Sequence, residues 1–188
     1  MNSMIPMAET SDSKRDPFVL GPMPTRTRMK TVDEREVRSR LATIFNLALE
    51  VERWPQLLAH YRFVRMRERA SDGGGLVEMS ANRPFGPMDW PTWWLSEMSV
   101  HRRGTKNTDG PRIRFRHIEG ITTGMEVEWS FHPVKGGTRV RIVHVWNGPR
   151  WPLVGGMAAE RVIGPLFVHG IASRTLEGLA HIAEQEEI

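Results

Sequence analysis

Between Pro111 and Trp146 the chain reads PRIRFRHIEGITTGMEVEWSFHPVKGGTRVRIVHVW, and its side chains alternate three times over. Ile113, Phe115, His117 and Glu119 fall on one face of a first strand. Met125, Val127, Trp129 and Phe131 fall on one face of a second, and Val140, Ile142, His144 and Trp146 on one face of a third. A period of two marks a strand with one buried face. Lys135-Gly136-Gly137-Thr138 supplies the turn between the last two, since glycine enters the positive-φ region at no steric cost. The opposite faces carry Arg112, Arg114, Arg116, Glu126, Glu128, Arg139, Arg141 and Val143, and are expected to meet water. The inner faces are the unusual ones. Two histidines, a glutamate and two tryptophans sit among aliphatic residues, where a plain core rarely places them. A ligand cavity needs that mixture: apolar walls and a few placed polar groups, in a volume of several hundred Å³.

The rest of the chain supplies partners for this meander. Thr25 to Arg38 predicts a first strand. Ser39 predicts an N-cap, with Leu41, Ile44, Phe45 and Ala48 at helical spacing after it. Trp54-Pro55 is expected to interrupt that helix, because the residue before proline avoids the α region, and Gln56 to His60 predicts one more short turn. Tyr61 to Arg69 alternates, with Tyr61, Phe63, Arg65 and Arg67 on one face and Val64 opposite. Asp72-Gly-Gly-Gly75 is a turn, Leu76 to Ala81 a strand, Asn82 to Asp89 a loop and Trp90 to Arg103 another strand. After a Pro/Gly/Trp-rich connection at 148–156, Met157 to Glu184 predicts a helix. Phe167, Ile171, Thr175, Leu179 and Ile182 form its core-facing stripe, and Gly164-Pro165 either kinks it or starts its main part. The expected architecture is α+β: a seven-stranded antiparallel sheet, two short helices after the first strand, and a long C-terminal helix covering the inner face.

A chain of 188 residues fits one domain. Residues 1–24 lack periodicity and read as a flexible leader before a domain at 25–188, although Asp16 to Pro22 could lie on the body as an arm. A formal net charge of +4 suits an acidic partner without requiring one. No lysine- or arginine-rich run suggests nucleic acid. The absence of cysteine excludes disulfides, thiolate metal sites and a cysteine nucleophile. No apolar stretch is long enough for a membrane span, and no signal peptide is visible. A cytoplasmic monomer or homodimer is the expectation. No cofactor is expected: His117, Glu119 and His144 lack short metal-ligand spacing, and the glycines at 73–75 and 155–156 lack a following lysine or a βαβ context.

This string of elements resembles the helix-grip arrangement of the START and pollen-allergen-like superfamily. Local wording narrows the resemblance to its polyketide cyclase/aromatase branch: Ala42-Thr-Ile-Phe45, Val51-Glu-Arg-Trp54-Pro55-Gln-Leu-Leu with His60-Tyr61, Trp94-Leu-Ser96, Arg114-Phe-Arg-His117-Ile-Glu119, Met125-Glu-Val-Glu-Trp129-Ser-Phe131, and Gly136-Gly-Thr138 ahead of His144. The similarity spans roughly Thr25 to Ile182. It implies a cyclase/dehydratase that folds a β-keto chain, carrier-bound, in a deep cavity and promotes aldol cyclisation and dehydration. The superfamily also holds lipid carriers, so a non-catalytic carrier of a hydrophobic small molecule or lipid is the alternative. One position departs. Where the resemblance implies a cavity arginine, two residues after Ser96, this chain has Met98. Arg83, in the preceding loop, is the candidate substitute.

His144 leads the candidates for chemistry, because a neutral imidazole exchanges protons near pH 7; the plainer reading is a buried, hydrogen-bonded histidine. His117 shares its face with Glu119 and reaches either the cavity or its rim. Tyr61 falls where the resemblance implies a pocket residue and is read as a donor to a developing enolate, or else as packing. Ser96 is a weaker hydrogen-bonding candidate. Trp54, Trp94, Met125 and Trp129 are read as walls for a polyketide-type or other hydrophobic ligand. The outer arginines (Arg62, Arg65, Arg67, Arg112, Arg114, Arg139 and Arg141) are a solvated face or a dock for an acidic acyl carrier protein.

Overall fold

The computed structural model describes residues 15–85, 88–104, 110–148 and 169–187. Strand β1 (Met29–Val37) is followed by helix α1 (Leu41–Leu49), a 3-10 turn (Val51–Arg53) and the short helix α2 (Trp54–Leu57). Strands β2 (Tyr61–Arg69), β3 (Gly75–Phe85), β4 (Met88–His101), β5 (Arg112–Gly120), β6 (Glu126–Val134) and β7 (Gly137–Trp146) run on as a meander, and helix α3 (His169–Gln185) closes the chain. The strands form one antiparallel sheet in the order β1-β7-β6-β5-β4-β3-β2. This is the α+β architecture that the alternation predicts, in the helix-grip arrangement that the resemblance implies. None of the described helices is long and apolar enough to cross a membrane.

The core lies between the inner sheet face and the helices. Phe131, Val140 and Ile142 are fully buried there with Ile44, Leu179 and Ala183, and Phe45 meets Phe131 edge to face at 5.2 Å. Ile171, Thr175 and Leu179 of the expected helical stripe are buried, with Leu176 and Ala180 beside them. Gly178 has no side chain because Leu58 occupies that space: a Cβ would meet its Cδ2 at 2.3 Å. Phe167 and Gly164-Pro165 lie outside the described residues.

Local details depart from the sequence reading. Arg40, not Ser39, occupies the N-cap of α1, without a side-chain cap, and Ser39 turns its hydroxyl toward the Arg40 carbonyl. Pro55 lies in the first turn of α2, which begins at Trp54, where a missing N–H costs nothing. The segment read as a loop at 82–89 is largely strand: Asn82 pairs with Pro91, Arg83 with Trp90 and Phe85 with Met88. This hairpin outruns its neighbours, since β2 pairs only as far as Ala81 and β5 only from Trp94. Both strands are therefore edges there, where prolines are tolerated.

Two bulges flip the inward set. Arg62 is an extra residue between the pairs Tyr61–Ala81 and Phe63–Ser80, so Tyr61 and Val64 are both buried and Arg65 faces out. Ile118 is the extra residue between the pairs Ser96–His117 and Leu95–Glu119. Glu119 is consequently exposed, not inward as strict alternation predicts.

The outer face is not fully wet either. Residues 15–24 lie across it; residues 1–14 are not described. The Arg15 N–H donates to the Arg69 carbonyl at 3.0 Å, Leu20 is only 6% exposed, and Arg114 and Arg116 donate to the carbonyls of Gly21 and Leu20. Arg114, expected in water, is buried under this arm.

Candidate functional site

The register of β5–β7 builds the site. His144 on β7 lies opposite Thr31 of β1 on one side and Val127 of β6 on the other. Val127 in turn lies opposite Phe115 of β5, so one row crosses the inner face. His144 Nδ1 is 3.4 Å from the Thr31 hydroxyl. His117 sits one row further along. The turn after β5 folds back, with Gly124 N–H donating to the His117 carbonyl at 2.8 Å, and so brings the Thr122 hydroxyl to 2.6 Å from His117 Nδ1. That turn depends on Gly120, whose φ is +93° and whose Cβ would meet the Trp93 carbonyl at 2.3 Å. His117 also stacks on Trp94, 5.8 Å between centroids and 20° from parallel. Both imidazoles are thus oriented through Nδ1 by a threonine, and each is 8% exposed.

Between the sheet and α3 lies a cavity of about 70 Å³. His144, His117, Tyr61, Trp54, Trp94, Met125 and Trp129 all line it. This volume is well below the several hundred Å³ expected from the sequence. The reason is visible in the walls: Trp54 stands 5.8 Å from Trp129 and 5.2 Å from Tyr61, centroid to centroid. The aromatic rings pack on one another across the space.

Ser96 and Met98 are not among the residues lining it. Both are fully buried in the sheet layer. The Ser96 hydroxyl has no hydrogen-bond partner among the described residues. Met98, in the position of the implied arginine, belongs to the apolar core. Arg83 lies within β3, and its side chain is outside the described residues. Among the described residues no group of three histidine, aspartate or glutamate side chains could hold a metal ion.

Thr175 is the residue that sequence reasoning passed over. It lines the cavity from α3. Its hydroxyl donates to the Ile171 carbonyl at 2.8 Å and lies 3.0 Å from His60 Nε2 and 3.2 Å from the Tyr61 hydroxyl. The available signal was a lone threonine inside an otherwise apolar helical stripe. His60, to which no role was assigned, is held well below the usual histidine range, at about 4, by burial and then by the nearby Arg174 cation. The cavity therefore has polar groups at two places: two threonine-oriented histidines on the strands, and a Tyr61–Thr175–His60 cluster where β2 meets α3.

The family model described as "Polyketide cyclase / dehydrase and lipid transport" matches residues 37–165, more than half of the chain, and the protein belongs to that family. Among solved structures, the fold is similar to that of the protein TTHA0849 from Thermus thermophilus, with a TM-score of 0.67 and 19% identity over 85% of this chain and 99% of that one. It is similar to the Zhui aromatase/cyclase of a Streptomyces species (TM-score 0.63, 12% identity, 85% and 95% covered). It is also similar to a START superfamily protein of Mycobacterium smegmatis (TM-score 0.61, 15% identity, 84% and 99% covered). At such identities the likeness is one of fold. No curated protein matches the sequence.

Proposed function

We propose that the chain binds a β-keto-type chain between the sheet and α3 and promotes its aldol cyclisation and dehydration. The observation that carries this reading is the pair His117 and His144, buried in an apolar, tryptophan-walled cavity and each steered through Nδ1 by a threonine hydroxyl. A core needs no such pair. A hydrogen bond at Nδ1 orients the ring, and an oriented imidazole can serve as a positioned acid or base.

In the proposed step, one of the two histidines removes a proton α to a carbonyl. The enolate carbon attacks a second carbonyl of the same chain, and the new alkoxide takes up a proton. The resulting alcohol is then lost as water with a neighbouring α-proton. Holding the two carbons within reach of one another supplies as much of the acceleration as the base does. Trp54, Trp94, Met125 and Trp129 serve as walls, and they must part on entry, because about 70 Å³ is below the roughly 300–1,000 Å³ of small-molecule sites. Ser96 and Met98, behind the walls, support strand packing. In this reading no cofactor takes part.

The carrier-protein dock narrows to Arg62 and Arg65 on β2. Both are exposed and form no ion pair among the described residues. Arg67, Arg69, Arg112, Arg114, Arg139 and Arg141 already face glutamates of this chain.

A second reading is favoured by Met98: with an apolar side chain where the resemblance implies an arginine, the cavity suits a non-catalytic carrier of a hydrophobic molecule. His144→Gln separates the two. The amide preserves much of the volume and can still meet Thr31. Cyclisation of a poly-β-keto substrate, resolved by chromatography against the spontaneous background, should fall by on the order of 10²-fold with ligand affinity little changed. Wild-type protein that binds the chain tightly yet leaves the product distribution unaltered would decide for the carrier.

A further inference from the structure

The two edges of the sheet differ. β2, the last strand on one side, is blunted. Its pairing with β3 is broken at two places, the Glu52 carboxylate accepts from the Met66 N–H at 3.0 Å, and Arg15 of the arm bridges to Ala70 just past its end. Such devices keep an edge from pairing with another chain. β1, the last strand on the other side, is hydrogen-bonded as a strand to β7 alone. Its nine residues hold unbroken register, from Met29 opposite Trp146 to Val37 opposite Thr138, without a proline or a bulge. At its middle Val32 is 42% exposed. At two-residue steps on either side stand the exposed Arg28, Lys30, Glu34 and Glu36.

These charges are antisymmetric about the valine. Arg28 and Lys30 come four and two residues before it, Glu34 and Glu36 two and four after it. Two copies of the strand laid antiparallel about a twofold axis at Val32 set Val32 on Val32, Lys30 opposite Glu34 and Arg28 opposite Glu36, each charge pair twice. Side chains directly opposite one another share a face and attract or repel across the strands. The adjacent registers fit worse. Centred on Thr31, the pairing sets Val32 against Lys30; centred on Asp33, it sets Val32 against Glu34 and Arg28 against Arg38. Arg28 and Lys30 form no ion pair among the described residues. Glu34 and Glu36 face Arg139 of β7 yet stay exposed, so each keeps a side open to a further cation.

We infer that β1 is the docking edge for a second copy of this chain: two β1 strands pair antiparallel about Val32 and join two seven-stranded sheets into one. The interface is isologous, so a single patch supplies both the apolar centre and its complementary charges. The pairing lies on the strand edge and does not depend on what the cavity binds.

Because the chain has no cysteine, one introduced thiol reports the register. In Val32→Cys the thiols stand on directly opposite residues, with Cα atoms about 4.5–5.5 Å apart, inside the roughly 4.4–6.8 Å that a disulfide spans. In Lys30→Cys, at an equally exposed position on the same face, the thiol stands about 13 Å from its own copy and opposite Glu34. Mild oxidation of the full chain should therefore crosslink Val32→Cys into a dimer and leave Lys30→Cys largely monomeric. An equal mixture of Lys30→Cys and Glu34→Cys should form a crosslinked dimer that neither forms alone. Equal yields from Val32→Cys and Lys30→Cys would mark random collision of exposed thiols and overturn the inference. Without any thiol, wild-type protein should sediment with the mass of two chains at sub-millimolar concentration. Lys30→Glu, which sets like charges opposite one another twice in each dimer, should weaken that association by roughly 10-fold. Wild-type protein that stays monomeric, or association that Lys30→Glu leaves unchanged, would overturn the inference as well.

Discussion

On β5 and β6, neighbouring residues are buried by opposite means. Ile113, Phe115, Val127 and Trp129 turn inward and belong to the apolar core. One residue along, Arg112 faces Glu128 at 3.1 Å, Arg114 faces Glu126 at 2.6 Å and Arg116 faces Glu126 at 3.4 Å. Backbone carbonyls of the arm complete the ladder. The inner face gains from area removed from water, a non-directional effect that tolerates volume-conserving change. The outer face consists of charges whose desolvation is offset only while every partner is present. The two faces should therefore respond differently to the same size of insult.

The largest difference should come from halving a pair. Arg114 and Glu126 have side chains only 6% and 12% exposed. Arg114→Ala leaves the Glu126 carboxylate with Arg116 alone, at 3.4 Å, and should cost about 3 kcal/mol in urea unfolding. The double change Arg114→Met with Glu126→Leu should recover most of that loss, since an apolar pair of similar volume often replaces a buried ion pair at little cost. On the inner face Ile142→Val, at a fully buried site, should cost about 1 kcal/mol. If Arg114→Ala costs less than Ile142→Val, the ladder is an ordinary set of surface pairs and the contrast fails.

The arm sharpens the same contrast at a smaller scale. Removing residues 1–22 exposes the surface under Leu20 and takes two carbonyls from the arginines. Burying one leucine is worth about 2 kcal/mol, and ordering the arm offsets part of it. The deletion should lower stability by about 1 kcal/mol, a fall in Tm of roughly 2–4 °C for a chain of this size. An unchanged Tm would restore a dispensable leader, with the domain starting near residue 25.

These two faces also mark how far the sequence can be read. The inner set was legible because alternation depends only on the backbone's period of two. Val140, Ile142, His144 and Trp146 are all buried as expected. It failed where a bulge adds a residue: Ile118 sends Glu119 to the surface, and Arg62 turns Val64 inward beside Tyr61. Bulges leave no mark in hydrophobic pattern. The outer set was read as wet because nothing in the strands reveals that a segment some 90 residues earlier lies over Arg114. Of the strand residues singled out, Trp94, His117, Trp129 and His144 line one cavity and Ser96 and Met98 do not; the threonines beside the histidines were not anticipated. Thr31, Thr122 and Thr175 come from a distant strand, a turn and a helix, and only the folded chain brings them to the rings.

The smallest expected effect belongs to a pH window. His60 beside Thr175 titrates at about 4, against 6.5 in an unfolded chain. Between those values the unfolded state binds a proton that the folded state refuses. Stability is therefore complete above pH 6.5, declines as pH falls toward 4, and suffers no further loss from this group below that. The ring is only partly buried, so solvent screening reduces the contribution to about 1 kcal/mol. Glu184 and Glu187 move in another window. Hydrogen bonds and charge from Arg38 and Arg40 hold their carboxyls below the ordinary 4.5, so what they contribute is kept above that value and lost only as pH falls below it. Unfolding measured at pH 7 and at pH 5 thus leaves these two carboxylates out of the difference. His60→Gln keeps a donor for Thr175 and should remove the His60 part of that difference. If the loss between pH 7 and pH 5 is the same in His60→Gln as in wild type, the ring is not held neutral by its burial, and the acid sensitivity does not come from His60.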